Sequence, residues 1–207
     1  AMREGVHYDM LARGAADDPR DIAVAGLIQR YGIDDGQARR VVGTALHLFD
    51  QVAPAWQLDE DDRLMLARAA RLHELGLAIA HSQYHVHGAY VVENSDIAGF
   101  SRQQQQFLAA LVRTHRRGIP KSAFDALPDR LLSNARRSAA LLRLAVLVHR
   151  AHEADPIAQL SARAEGNQLT LTVSRRWLDS RPLIRADLEG EPEDMAGLGI
   201  TLKLEAA

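Results

Sequence analysis

The stretch 58–76, LDEDDRLMLARAARLHELG, runs directly into 77–120, LAIAHSQYHVHGAYVVENSDIAGFSRQQQQFLAALVRTHRRGIP, and its reading decides the fold. The acidic opening at 58–62 is a helix start, and Leu64, Leu66, Ala69, Ala70 and Leu72 carry a long helix on to Leu75. A second helix is expected over 84–94. Ser101 with Gln104 three residues on is a capping box, which predicts a third over 102–115. Five of the nine histidines fall between Arg71 and Pro120, beside a block of arginines. Imidazole and guanidinium together are what a protein assembles to hold a metal, a phosphate, or both.

Moving outward, helical pattern extends on both sides. Asp21 is expected to cap a helix over 22–31, and Asp34 or Asp35 one over 38–52 with Val41, Val42, Ala45, Leu48 and Phe49 on one face. Another is expected at 129–152. After Pro156 the period changes to two. Ile157, Leu160, Ala162 and Ala164, a Gly166-Asn167 turn, then Leu169, Leu171 and Val173 read as a hairpin. A helix near 183–195 and a strand at 200–204 follow. The fold class is therefore mainly α, an all-α domain at 20–155 followed by a small α+β domain of ββαβ type at 156–207. Residues 1–19 read as a short helix, REGVHYDMLAR, and a breaker-rich linker, GAADDP.

Composition narrows the chemistry. The 207 residues include no cysteine, which excludes disulfides, thiolate metal sites and cysteine nucleophiles. The longest apolar run, Leu141 to Val148, is broken by Arg143 and is too short to span a bilayer. Residues 1–15 carry acids and glycine where a signal peptide has its apolar segment, so the expected location is the cytoplasm, with no membrane partner. The net charge of −2 conceals an island. Residues 102–150 hold ten basic and two acidic side chains, a balance of +8, while 1–101 carry −6 and 151–207 carry −4. Such an island focuses field lines and attracts polyanions.

Residues 37–41, Gln-Ala-Arg-Arg-Val, and 72–76, Leu-His-Glu-Leu-Gly, resemble the first two motifs of HD-domain phosphohydrolases, and Arg143-Leu144-Ala145-Val146 resembles the late helix. The ligands differ. Gln37 stands for the family's first histidine, Glu74 for the aspartate of the pair and Val146 for the last aspartate. A hard divalent ion needs carboxylate and imidazole donors converging from several helices, so no metal is expected here. A rearranged site would draw on His73, Glu74, His81, His85 and His87. Otherwise His73 is a hydrogen-bonded core histidine, with Glu74 as its partner.

HELG, HSQYHVHGAY, ENSD, GFSRQQQ, HRRGIP and the terminal RRWLDSRPLIRADLEGEPEDMAGLGITLKLE together resemble the C-terminal half of the exopolyphosphatase and guanosine pentaphosphate phosphohydrolase family, from about residue 20 to 205. The resemblance implies an accessory region. Hydrolysis in that family belongs to a preceding actin-like pair of domains, to whose end residues 1–19 would belong, working with a divalent cation such as Mg²⁺. This chain has no glycine-rich phosphate loop of the G-x-x-x-x-G-K-[ST] kind. The implied partners are polyphosphate or guanosine pentaphosphate, the actin-like domains and a second copy of the chain.

No cofactor and no catalytic residue is expected in this chain. The candidates for polyphosphate are Arg102, Arg113, His115, Arg116, Arg117 and Lys121, with Arg136 and Arg137 from the next helix. Arg113, Arg116 and Arg117 would share a face if the helix runs that far. The plainer alternative is a solvated charged face. Two other functions remain open: a self-sufficient HD-type hydrolase, and a dimerisation unit whose arginines meet a partner's acids. Nucleic acid is disfavoured, because aromatics make up 5% of the chain and none interleaves with 113–121.

Overall fold

A computed structural model describes residues 18–150 and 157–207. Of the short helix and linker read at 1–19, residues 1–17 lie outside them, as does the boundary set between 155 and 156, and Pro19 at the linker's end is already helical. Asp18 begins the described chain as the cap of α1 (Pro19–Tyr31), its carboxylate accepting from Arg20 N at 2.9 Å. Asp21, expected as the cap, is already helical. Pro19 fixes the first helical position, where a missing N–H is harmless. Asp34 caps α2 (Asp35–Trp56) by accepting from Gly36 N and Gln37 N. This helix passes through Pro54 in its last turn, four residues beyond the expected end, burying Val41, Ala45, Leu48 and Val52 completely.

The acidic opening at 58–62 forms a capping box, Asp59 with Asp62, at the start of α3 (Glu60–Leu72). Buried Arg68 on α3 donates from Nε to Asp21 Oδ1 at 2.9 Å and from Nη2 to Asp18 Oδ2 at 2.8 Å. That is where Asp21 is used. A 3-10 turn at Leu75–Ala78 replaces the expected end of the helix, and α4 (Tyr84–Asn94) and α5 (Arg102–Thr114) follow. Gly76 sets the approach of the turn to α4. A Cβ there would sit 1.9 Å from the Tyr84 carbonyl oxygen and 2.6 Å from Gly88 N, so only glycine fits.

Central to the helical part is α6 (Asp129–Val148), with Ala135, Ala139, Leu141, Leu142 and Leu144 fully buried. His149 closes it short of the expected 152, and Gln37 Nε2 donates to the His149 carbonyl at 3.0 Å. A 3-10 turn at Ile157–Gln159 takes the place of the first expected strand residues. Then come β1 (Leu160–Glu165), β2 (Gln168–Val173), α7 (Arg175–Asp179), which the sequence pattern did not suggest, α8 (Pro182–Ala196) and β3 (Thr201–Ala206). The first two strands pair antiparallel across Gly166-Asn167. The third lies parallel to β2, with Leu169 opposite Leu202 and Leu171 opposite Leu204, because α7 and α8 form the crossover.

The sheet is fastened to α2. Trp56 Nε1 donates to Gly166 O at 2.9 Å, Ala162 N to Gln51 Oε1 at 2.6 Å, and His47 Nε2 to Leu160 O at 3.0 Å. One buried apolar cluster runs from Val24 on α1 to Leu202 on β3. Among the described residues no helix is long and apolar enough to cross a membrane.

Candidate functional site

The basic motif after α5 does not continue the helix. Thr114 is its last residue, His115 closes it, and Arg117 adopts a left-handed backbone with φ 62°. The face expected from Arg113, Arg116 and Arg117 therefore does not form. The cause lies on α6, where buried Arg143 donates from Nη1 to Thr114 O at 2.7 Å and to Arg117 O at 2.8 Å. These bonds hold residues 115–117 in a corner and absorb the carbonyl charge at the helix end.

Behind the corner, three histidines pack edge to face, with a tyrosine ring tilted against them. His115 Nδ1 donates to Val112 O and His73 Nδ1 to Ala70 O, each at 2.7 Å. Their rings are 5.5 Å apart, His85 lies 6.2 Å from His115, and Tyr84 lies 5.5 Å from it. The Arg116 guanidinium sits over the Tyr84 ring, 4.5 Å from its centre. Burial, and then the charges of Arg113, Arg116, Arg117 and Arg143, push the His85 pKa down to about 4. Burial also holds His115 well below the ordinary imidazole range, and raises the Tyr84 hydroxyl. His85, His115 and Tyr84 are neutral at pH 7 and sit in a positive field.

In front of the corner lies a half-open cleft of about 450 Å³. Tyr84, His115, Arg116 and Arg117 form one wall, and Arg143, Val146 and Leu147 of α6, with Arg150 just beyond the helix, form its floor. The opposite wall is α8, with Asp187, Glu191 and Asp194. Those acids are engaged: Arg143 Nη2 donates to Glu191 Oε2 at 3.2 Å and to Asp194 Oδ2 at 2.8 Å, and Arg150 pairs with Asp187. Arg116 and Arg117 make no ion pair with an acid among the described residues. On the other side of Tyr84 a second cleft, about 570 Å³, is lined by Tyr31, Asp34, Glu74, Leu77 and His81.

The expected phosphate ligands thus divide. His115, Arg116 and Arg117 line the first cleft, and half-buried Arg113 lies near enough to depress His85. Exposed Arg102 donates to the Glu93 carbonyl at 2.9 Å. Lys121 is exposed in the following 3-10 turn. Arg136 covers Phe124, and Arg137 donates to Trp56 O at 2.8 Å. Sequence reading passed over Tyr84, Arg143, Arg150 and the acids of α8. Tyr84 stood inside HSQYHVHGAY, and the acids inside DLEGEPED, where either signal was available.

The metal candidates do not converge. His81 lines the second cleft, His85 packs on His115, and His87 points roughly 200° around α4 from His85. His73 Nε2 is 3.8 Å from Glu74 Oε1. Gln37 and Val146, at two of the HD ligand positions, bond to a backbone carbonyl and line the first cleft respectively. Among the described residues no three histidine, aspartate or glutamate side chains are placed to hold a metal ion. The side chains present do not fit a resident divalent ion.

The helical body and the small α+β unit meet at a cleft lined by arginines. The model of "Ppx/GppA phosphatase, domain III" matches residues 20–192, and the chain belongs to the Ppx/GppA phosphatase family, to whose C-terminal half it corresponds. It is 33% identical over 200 residues to a protein named guanosine-5'-triphosphate,3'-diphosphate pyrophosphatase from Pseudoalteromonas translucida (strain TAC 125), covering 96% of this chain and 40% of that protein. A protein of the same name from Vibrio vulnificus (strain YJ016) is 31% identical over 210 residues, with 100% and 41% covered. The chain spans about two fifths of the length of these relatives. The resemblance read from HELG to HRRGIP stands.

Proposed function

We infer that this region holds the phosphate chain of a phosphoanhydride, polyphosphate or guanosine pentaphosphate, for a hydrolytic centre carried by actin-like domains of the same protein. The observation that carries the reading is the corner at Arg116 and Arg117. Two adjacent guanidiniums stand there without acidic partners, on a cleft whose other two arginines are already neutralised by α8. Tyr84 orients Arg116 from beneath, and Arg143 fixes the backbone of Arg117. A phosphate chain has no sequence to read, so cations in a fixed arrangement suffice, and binding releases counterions. No step of this reading runs through a metal held by these residues.

Self-association belongs to the same reading, and sizing in low and high salt, with and without polyphosphate, tests it. For the anion site, polyphosphate binding to the chain should weaken steeply with salt. The pair Arg116→Ala/Arg117→Ala should reduce both affinity and salt dependence. A double variant that binds as tightly as the parent removes the reading.

A further inference from the structure

The acids of α8 already fill part of the cleft. Four arginines, Arg116, Arg117, Arg143 and Arg150, line it together with three carboxylates, Asp187, Glu191 and Asp194, so the resting cleft is close to neutral. The carboxylates stand at i, i+4 and i+7 on α8 and share one face. They hold Arg143 and Arg150 as the oxygens of a phosphate chain would. Any ligand that extends past the Arg116-Arg117 corner has to compete with them.

The two neutralised arginines differ in how firmly they are held. Arg143 is buried against buried Glu191, and it also bonds Asp194 and the carbonyls of Thr114 and Arg117. Releasing it would strand a buried charge, which is costly. Arg150 has one acidic partner among the described residues, Asp187, and its side chain is 68% exposed against 32% for that carboxylate. An exposed pair of this kind contributes little, and both groups regain water when it opens. The backbone beneath it is fixed, because Arg150 N donates to Leu147 O at 3.2 Å. Its guanidinium therefore swings from an anchored base.

Arg150 is also within electrostatic reach of the corner. Burial raises the Tyr84 hydroxyl, and both Arg116 and Arg150 oppose that rise, so the two guanidiniums act on one side chain. Beside Asp187 the α8 wall is bare. Ala186 and Gly190 line the cleft there, and a Cβ on Gly190 would meet nothing within 4 Å, which leaves room for a chain.

Resting on the phosphate-holding reading above, we propose that Arg150 is a third phosphate ligand, covered by Asp187 and uncovered by a phosphate chain long enough to reach it from the Arg116-Arg117 corner. A ligand of two phosphates satisfies the corner and leaves the pair closed. A longer one brings several ionised oxygens against a single carboxylate, and the guanidinium changes partner. Arg150 thereby reads chain length, and Asp187 keeps it from smaller anions. The buried Arg143–Glu191 pair holds α8 in place while the outer pair opens.

Calorimetric titration of the chain with pyrophosphate and with inorganic pentaphosphate, at one salt concentration, tests this. Arg150→Gln should weaken pentaphosphate binding about tenfold, the size of a lost charge-assisted bond, and leave pyrophosphate unchanged. Asp187→Asn should tighten pentaphosphate binding about two- to fivefold, the worth of an exposed pair, again without effect on pyrophosphate. With both substitutions the chain should bind pentaphosphate as Arg150→Gln alone does, since nothing is left to uncover. Affinities are counted per folded molecule, with urea unfolding of each variant as the control. If Arg150→Gln weakens both ligands by one factor, or neither, Arg150 is not a ligand that reads length. A gain from Asp187→Asn that persists without Arg150 overturns the covering role. Either result leaves the corner standing, whereas a parent chain that binds neither phosphate overturns the corner as well.

Discussion

Arg143 and Glu191 form a buried pair that joins α6 to α8, Nη2 donating to Oε2 at 3.2 Å alongside a second bond from Nε to Oε1. The remaining guanidinium donors reach Asp194, Thr114 and Arg117. One side chain thus ends α5, sets the Arg116-Arg117 corner and fastens the C-terminal helix. Burial raises the Glu191 carboxyl, against the opposing pull of Arg143.

Removing one partner of a buried pair strands the other charge, which is costlier than losing the attraction. Arg143→Met should destabilise the chain by about 3–5 kcal/mol, and Glu191→Gln, which keeps an acceptor, by about 1–3 kcal/mol. Urea unfolding measures both. An Arg143→Met midpoint equal to the parent's would show that the pair contributes nothing net.

His85 titrates near 4 when folded, against an ordinary value of 6.5, so as the pH falls the unfolded chain takes up the proton first. Its contribution is complete above pH 6.5 and is lost as the pH falls from 6.5 towards 4. Burial moves His115 the same way. The loss from His85 is up to about 3 kcal/mol, since its pKa falls from 6.5 to about 4 and each pH step of one is worth about 1.36 kcal/mol. Stability measured at stepped pH should fall through this window, and His85→Asn should flatten the fall. A variant curve parallel to the parent's speaks against the assignment.

Local signals were legible and non-local ones were not. The Ser101–Gln104 and Asp59–Asp62 boxes each lie within four residues, and the helices they start are where the pattern puts them. Pro19 after Asp18 was likewise readable, although the pattern favoured Asp21. The end of α5 was not, because Arg143 sets it from 29 residues away. The pairing of Arg143 with α8 spans 48 and 51 residues, which no helical period encodes. The charge island was visible as a count, but only packing separates arginines bound to carbonyls or acids from those facing open space.

Gly76 offers a test of the close approach behind the histidine cluster. Gly76→Ala places a methyl 1.9 Å from a backbone oxygen that cannot rotate away, so the 3-10 turn at Leu75–Ala78 and α4 must separate. The expected cost is at least about 3 kcal/mol, at the upper end for overpacking. Gly26 on α1 is the control, since a Cβ there meets nothing within 4 Å. Gly26→Ala should stabilise by about 0.5–1 kcal/mol through helix propensity. Thermal and urea unfolding of the two variants should therefore shift in opposite directions, and a Gly76→Ala chain as stable as the parent would mean the approach is not tight.

The +8 island should also divide functionally. Arg136 and Arg137 lie roughly 15 Å along α6 from the cleft-lining Val146 and Leu147, at 1.5 Å per residue, and each is occupied with an aromatic ring, Phe124 and Trp56. Arg137→Ala should cost about 1–2 kcal/mol of stability, from its bond to Trp56 O and its contact with the ring. It should leave polyphosphate affinity per folded molecule unchanged, as should Arg136→Ala. Arg116→Ala should instead lower the slope of log affinity against log salt by about 0.7–0.9, the value for one lost phosphate contact on a single-stranded or double-stranded polyanion. If Arg136→Ala reduces the slope as much as Arg116→Ala does, the phosphate track follows the whole length of α6 and is not confined to the corner that Arg143 builds.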